Sequence, residues 1–154
     1  MRGSRSQSQS ERGRYSRSKG ARSERELCGL LSEYLGVTAT RQYKQHAQAQ
    51  HGDIEELIGP YLIECKNQAR ITLGPWWEQA RVAATVRGAI PCVAYRLPNR
   101  TLYDRWRFVV PLNEAWTAGQ EWKDSFRYTA DIGLEAFALL VREFLSGVKS
   151  DGRS

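Results

Sequence analysis

No apolar run in this sequence approaches the roughly 18 residues that a membrane span requires, and no apolar signal segment opens it. A soluble, cytoplasmic protein is expected, in a host cytoplasm if a phage encodes it. Cysteine is scarce: Cys28, Cys65 and Cys92 lie far apart, with no Cys-x-x-Cys pair. That argues against a disulfide framework or a zinc site and for buried free thiols. The two histidines, His46 and His51, fall in an amide-rich stretch that suits no helix, far from any cysteine. A substrate-contacting loop and a plain solvated loop both remain open for it. No Gly-rich turn precedes a helix, so no nucleotide cofactor is expected, and no internal repeat is visible. With 154 residues the chain has room for one domain with a single core.

Charge of one sign is missing from most of the chain. The net charge is +6, yet residues 1–22 hold seven Arg or Lys and one Glu. The remainder is balanced, with sixteen basic and sixteen acidic residues. Residues 1–18 are mostly Ser, Arg, Gln and Gly, with Tyr15 the one large apolar side chain. Such a segment buries too little to offset its ordering entropy, which predicts a disordered basic arm. It is either a tether to a phosphate backbone or a solubilising tail.

The most informative stretch is 52–67, which the pattern predicts to be a β-hairpin. Gly59-Pro60 punctuates two runs containing Ile54, Leu57, Tyr61, Leu62 and Ile63. Period-two alternation puts Leu62, Glu64 and Lys66 on one face and Ile63 and Cys65 on the other. The midpoint between Asp53 and Glu64 falls at Ile58-Gly59, so folding there brings the two carboxylates together. Two acids and a lysine at one spot suit phosphodiester hydrolysis. The acids would hold Mg²⁺ through oxygen, and the lysine would face the attacking water or the developing charge. A surface hairpin with a cross-strand charge pair is the plainer reading of the same residues.

Elsewhere, Leu27, Leu30, Leu31, Tyr34 and Leu35 predict a helix over 23–35, with Ser23 and Glu26 as a capping box and Gly36 as its stop. Residues 37–43 read as a strand. Pro75 is expected to open a helix over 76–87, stopped by Gly88. Trp77 is expected in the core; Trp76 suits the core or a stacking surface. Strands are expected at 90–97 and 103–112, the second alternating Trp106, Phe108 and Val110 against Arg105, Arg107 and Val109. Arg96, Arg100, Arg105 and Arg107 would form either a basic surface or a charged edge strand. Residues 113–131 give no clear pattern, and an amphipathic helix is expected over 133–146.

Asp53, a spacer and then Glu64-x-Lys66 resembles the pattern of the PD-(D/E)xK nucleases. Upstream, Lys19-Gly20-Ala21-Arg22-Ser23-Glu24-Arg25-Glu26-Leu27 resembles the first-helix motif of archaeal Holliday junction resolvases, Lys-Gly-x-x-x-Glu-Arg-x-Leu. Downstream, Glu78-Gln79-Ala80 resembles that family's Glu-Gln-Ala. The likeness spans about Lys19 to Pro98, with Gly52 where the family often has proline. It implies an α/β restriction-endonuclease-like core, with a central mixed sheet flanked by helices. The domain would occupy 19–148, between the basic arm 1–18 and a disordered tail 149–154. It implies a Mg²⁺-dependent DNA endonuclease, with Mn²⁺ able to substitute, acting on branched DNA in recombination, and a homodimer. Asp53 and Glu64 would ligate the metal, helped by the carbonyl of Cys65, with Lys66 catalytic and Glu24 and Gln79 supporting. DNA contacts are expected from Lys19, Arg22, Arg25, Lys44, Gln68 and Arg70. Another nuclease on the same fold, or a non-catalytic nucleic-acid-binding protein, would share much of this pattern.

Overall fold

The computed structural model describes residues 9–36, 57–112 and 125–151. Among them the elements run α1 (Gln9–Leu35), β1 (Tyr61–Lys66), α2 (Leu73–Arg87), β2 (Ile90–Arg96), β3 (Trp106–Pro111), a 3-10 turn (Phe126–Tyr128), β4 (Thr129–Gly133) and α3 (Leu134–Asp151). The strands form one mixed sheet in the order β1-β2-β3-β4. β1 and β2 are parallel and joined by α2, and the other neighbours are antiparallel. This is the α/β class expected, a mixed sheet flanked by helices.

Strand alternation sorts the core into two layers. Tyr61, Ile63, Cys65, Cys92, Ala94, Trp106, Phe108 and Val110 pack with Leu27, Leu30 and Leu31 of α1 and Phe137 and Val141 of α3. The opposite face carries Val93, Tyr95 and Val109 against Trp76, Trp77 and Ala80 of α2, while Leu62 meets Ala83 and Ala84. Both tryptophans are therefore core, as expected for Trp77. All three cysteines are buried and free, and burial pushes the Cys92 thiol well above its usual range.

The turn ahead of β1 is tight: Ile58 and Tyr61 exchange backbone hydrogen bonds of 2.9 and 3.0 Å. It is centred on Gly59-Pro60, one residue later than the expected midpoint. Gly59 sits at φ 58°, and a Cβ there would lie 3.1 Å from Val141 Cγ1 of α3. Glycine is thus required twice over, by conformation and by helix approach. The rest of the expected first hairpin strand, with Asp53, lies outside the described residues, as do the expected strand 37–43, Lys44, His46 and His51.

Four elements differ from expectation. α1 begins at Gln9, not Ser23, so residues 9–18 are helical instead of disordered. No proline interrupts this stretch, and adding residues to a helix already anchored by its core contacts avoids the cost of nucleation. Ser23 is consequently mid-helix; its hydroxyl donates to the Lys19 carbonyl at 3.1 Å rather than capping. α2 begins at Leu73, with Pro75 third, inside the first turn where its missing N–H has no intrahelical acceptor to lose. It ends as expected: Gly88 at φ 62° donates to Thr85 O, and Ala89 N–H to Ala84 O at 2.9 Å, a Schellman arrangement. Residues 129–133 form β4, paired along β3 from Pro111↔Thr129 to Arg107↔Gly133. β3 is therefore interior, and the edge-strand reading of its arginines does not hold. α3 continues to Asp151, into the expected tail.

Candidate active site

β1 packs between the α1–α3 layer and α2. Its second face presents Glu64 and then Lys66 on the α2 side. The Lys66 ammonium lies 3.0 Å from Glu64 Oε1 and donates to Gln79 Oε1 of α2 at 2.8 Å. Glu64 is only 6% exposed. A carboxylate and an ammonium at i and i+2 share one strand face, and Gln79, one helical turn before Ala83, reaches them from above. From the other face, α1 contributes Ser23 and Glu24, both 5% exposed. Asn67, the first residue after β1, donates its side-chain amide to the Ser23 hydroxyl. That bond fastens α1 to the strand end, one residue from Glu24.

Glu64, Lys66 and Gln79 are thus joined at the C-terminal end of β1, and Glu24 follows directly on the α1 residue bonded to Asn67. Asp53 lies outside the described residues. Among the described residues no group of three or more His, Cys, Asp or Glu could by itself hold a metal. Cys65 faces the α1–α3 layer, leaving only its backbone carbonyl available as a ligand. Of the residues expected to contact DNA, Arg22, Arg25, Gln68 and Arg70 are exposed and Lys19 half-buried. Gln68 does not share the Glu64–Lys66 face by strand alternation, because β1 stops at Lys66.

Sequence reasoning missed two clusters. Glu26 accepts from Trp106 Nε1 at 2.8 Å and pairs with Arg105 at 3.3 Å and Arg96 at 3.5 Å. It is a clamp between α1 and the ends of β2 and β3, not half of a capping box. Asp131 of β4 accepts from Arg107 Nε at 2.8 Å and from the Tyr95 hydroxyl. Burial first, then the bond to Asp131 and its charge, push the Tyr95 phenol up to about 12. Arg96, Arg105 and Arg107 are thus engaged in ion pairs within the fold, which weighs against the basic surface that was one of the two readings left open for them. Helical phase could have hinted that Glu26 lies near the Leu27–Leu30–Leu31 face. Its partners, 70 to 80 positions downstream, carry no local signal.

The mixed α/β core carries Glu64 and Lys66 together at the end of β1, the acid-x-lysine half of the PD-(D/E)xK pattern. A family model described as phage putative PDDEXK endonuclease matches residues 15–145. The chain belongs to that family. No curated protein matches it. Among solved structures it is similar to Hjc of Archaeoglobus fulgidus, a Holliday junction resolvase from an archaeal hyperthermophile. The two are 25% identical over 79% of this chain and 88% of that one, with a TM-score of 0.42. That overlap is too loose to transfer a site from one chain to the other.

Proposed function

We propose that this nuclease is a Mg²⁺-dependent DNA endonuclease that cuts branched DNA, of the Holliday junction resolvase type, acting as a homodimer. The observation that carries the catalytic part is the Glu64–Lys66–Gln79 contact at the end of β1. A nearly buried carboxylate and its lysine, held by an amide from another element, suit a charge aimed at a reacting phosphate. Junction preference and dimerisation rest on the resemblance carried by the motif Lys19-Gly20-x-x-x-Glu24-Arg25-x-Leu27, and with it the role given to Glu24.

The donor set fits magnesium: the Glu64 carboxylate and the Cys65 carbonyl are hard oxygens, and Asp53 would complete them. Bound there, the ion would supply Lewis-acid stabilisation and a more acidic water. The chain's own residues have distinct tasks. Gln79 Oε1 and Glu64 hold the Lys66 ammonium, which faces the phosphate and stabilises the charge that builds on its oxygens. Glu24 orients the attacking water. Arg22, Arg25 and Arg70 position the backbone without reading sequence.

The test is incubation with Mg²⁺ or Mn²⁺ and a panel of four-way junction, flap, duplex and single-stranded DNA. Cutting of the junction, lost in EDTA and replaced by binding without cutting in Ca²⁺, is expected. Equal cutting of all substrates would leave a nuclease of another specificity, and sustained cutting in EDTA would remove the metal mechanism.

A further inference from the structure

The basic arm enters the domain as part of the same helix that carries Glu24. From Gln9 to Leu35, α1 is a single helix. Its C-terminal half is fixed by Leu27 and Leu31, each 0% exposed, by the Glu26 clamp and by the Asn67–Ser23 bond. The remaining residues, 9–22, project about 21 Å at about 1.5 Å per residue. Arg12, Arg14, Arg17 and Arg22 on this part are exposed, and Lys19 joins them. Tyr15 is its one large apolar side chain, so the arm offers no apolar seam to a partner helix. Its charge, spread over several sides of the helix, complements a polyanion.

We infer that residues 12–22 form a rigid basic rail that lies along the phosphate backbone of duplex DNA at a fixed distance from the cut. The inference rests on the nuclease reading and adds to it a direction and a length. A flexible tether would raise local concentration without favouring any spacing. A helix continuous with Glu24 fixes where its arginines stand relative to the strand end. Its reach of about 16 Å, eleven residues at about 1.5 Å each, covers about five base pairs at about 3.4 Å each. Single strands, which lack a stiff row of phosphates, would gain less.

Two glycines make rigidity separable from charge. Nothing lies within 4 Å of a Cβ built on Gly20, and one on Gly13 would meet only the Arg17 guanidinium, at 3.8 Å. Gly20→Ala therefore strengthens the helix without a clash, while Gly20→Pro breaks it upstream of the core anchors and keeps every charge.

The experiment measures binding in EDTA, across salt, to duplexes lengthened two base pairs at a time, with circular dichroism confirming the fold. The wild type and Gly20→Ala should gain affinity until about five base pairs flank the site. Gly20→Pro should lose that length dependence and about tenfold in affinity. Replacing Arg12, Arg14 and Arg17 by Gln should lower the slope of log affinity against log salt by up to about 2.7, about 0.9 for each phosphate no longer neutralised. Gly20→Pro binding like Gly20→Ala would make the arm a flexible tether and overturn the rail. An unchanged salt slope in the Gln variant, or arm-dependent self-association in its place, would overturn DNA as the occupant. A protein that shows the rail behaviour but never cuts would lose the nuclease mechanism and keep this inference.

Discussion

Glu64 and Glu26 both bind cations at the ends of neighbouring strands, yet they are wired differently. Glu26 joins three elements, taking Trp106 Nε1, Arg105 and Arg96 from the sheet onto α1. Glu64 pairs with Lys66, two residues along its own strand. The pair adds a bond from Lys66 to Gln79 of α2, and burying it costs desolvation that mutual attraction rarely repays in full. The Glu26 cluster is accounted for by the fold it holds. The Glu64–Lys66 pair is the one on which the proposed mechanism rests. Proximity of opposite charges is therefore a poor sign of a catalytic centre; what separates the two is whether the contact does structural work.

That contrast is broken most sharply by Glu64→Gln. Cleavage should be abolished while melting temperature holds or rises and DNA binding persists or tightens, because a negative charge beside a polyanion is gone. A gel-shift and a cutting assay on one preparation read both. Asp53→Asn should behave alike, and wild-type cutting by either variant would mean the wrong carboxylate has been assigned.

Lys66→Ala should slow cleavage on the order of a hundredfold, the scale for a charge aimed at a transition state, with stability unchanged or higher. Lys66→Arg should rescue little, since a planar fork cannot place its donors as an ammonium does. A Lys66→Ala protein that cuts at near-normal speed would return residues 52–67 to an ordinary hairpin.

Glu26→Ala should show the opposite profile. It leaves the fully buried Trp106 indole N–H without its acceptor, a loss of about 1–3 kcal/mol. Denaturant melts should show that loss, while Glu26→Gln, which keeps an acceptor, should recover part of it. A Glu26→Ala protein of normal stability and lost activity would reverse the two assignments.

The smallest effect concerns Tyr95. Its phenol is raised to about 12 in the fold, so the native state holds that proton more tightly than an unfolded chain with a pKa of about 10. The resulting stability is complete below about pH 10 and lost as pH rises toward 12. Tyr95→Phe should flatten the alkaline decline in melting temperature but not remove it, because Tyr61 is also raised to about 12 by burial. An identical alkaline profile in Tyr95→Phe would deny the Asp131 bond any role in it.

Local pattern alone determined β1 with its two-faced alternation, the Gly59-Pro60 turn, the Gly88 stop, the alternation of Trp106 and Phe108 in β3, and the candidacy of Glu64 and Lys66; Gln79 entered only through the family resemblance. These follow from periods of two and 3.6 residues and from the conformations glycine permits, all written within a few positions of the residue concerned. Tertiary structure decided what depends on distant partners. β4 has a poor strand pattern, Thr-Ala-Asp-Ile-Gly, and forms against β3. The arm becomes helical because residues far downstream anchor the helix it extends. Glu26 changes from a cap to a clamp because Arg96, Arg105 and Trp106 arrive beside it only once the sheet is assembled, and no spacing along the chain encodes that meeting.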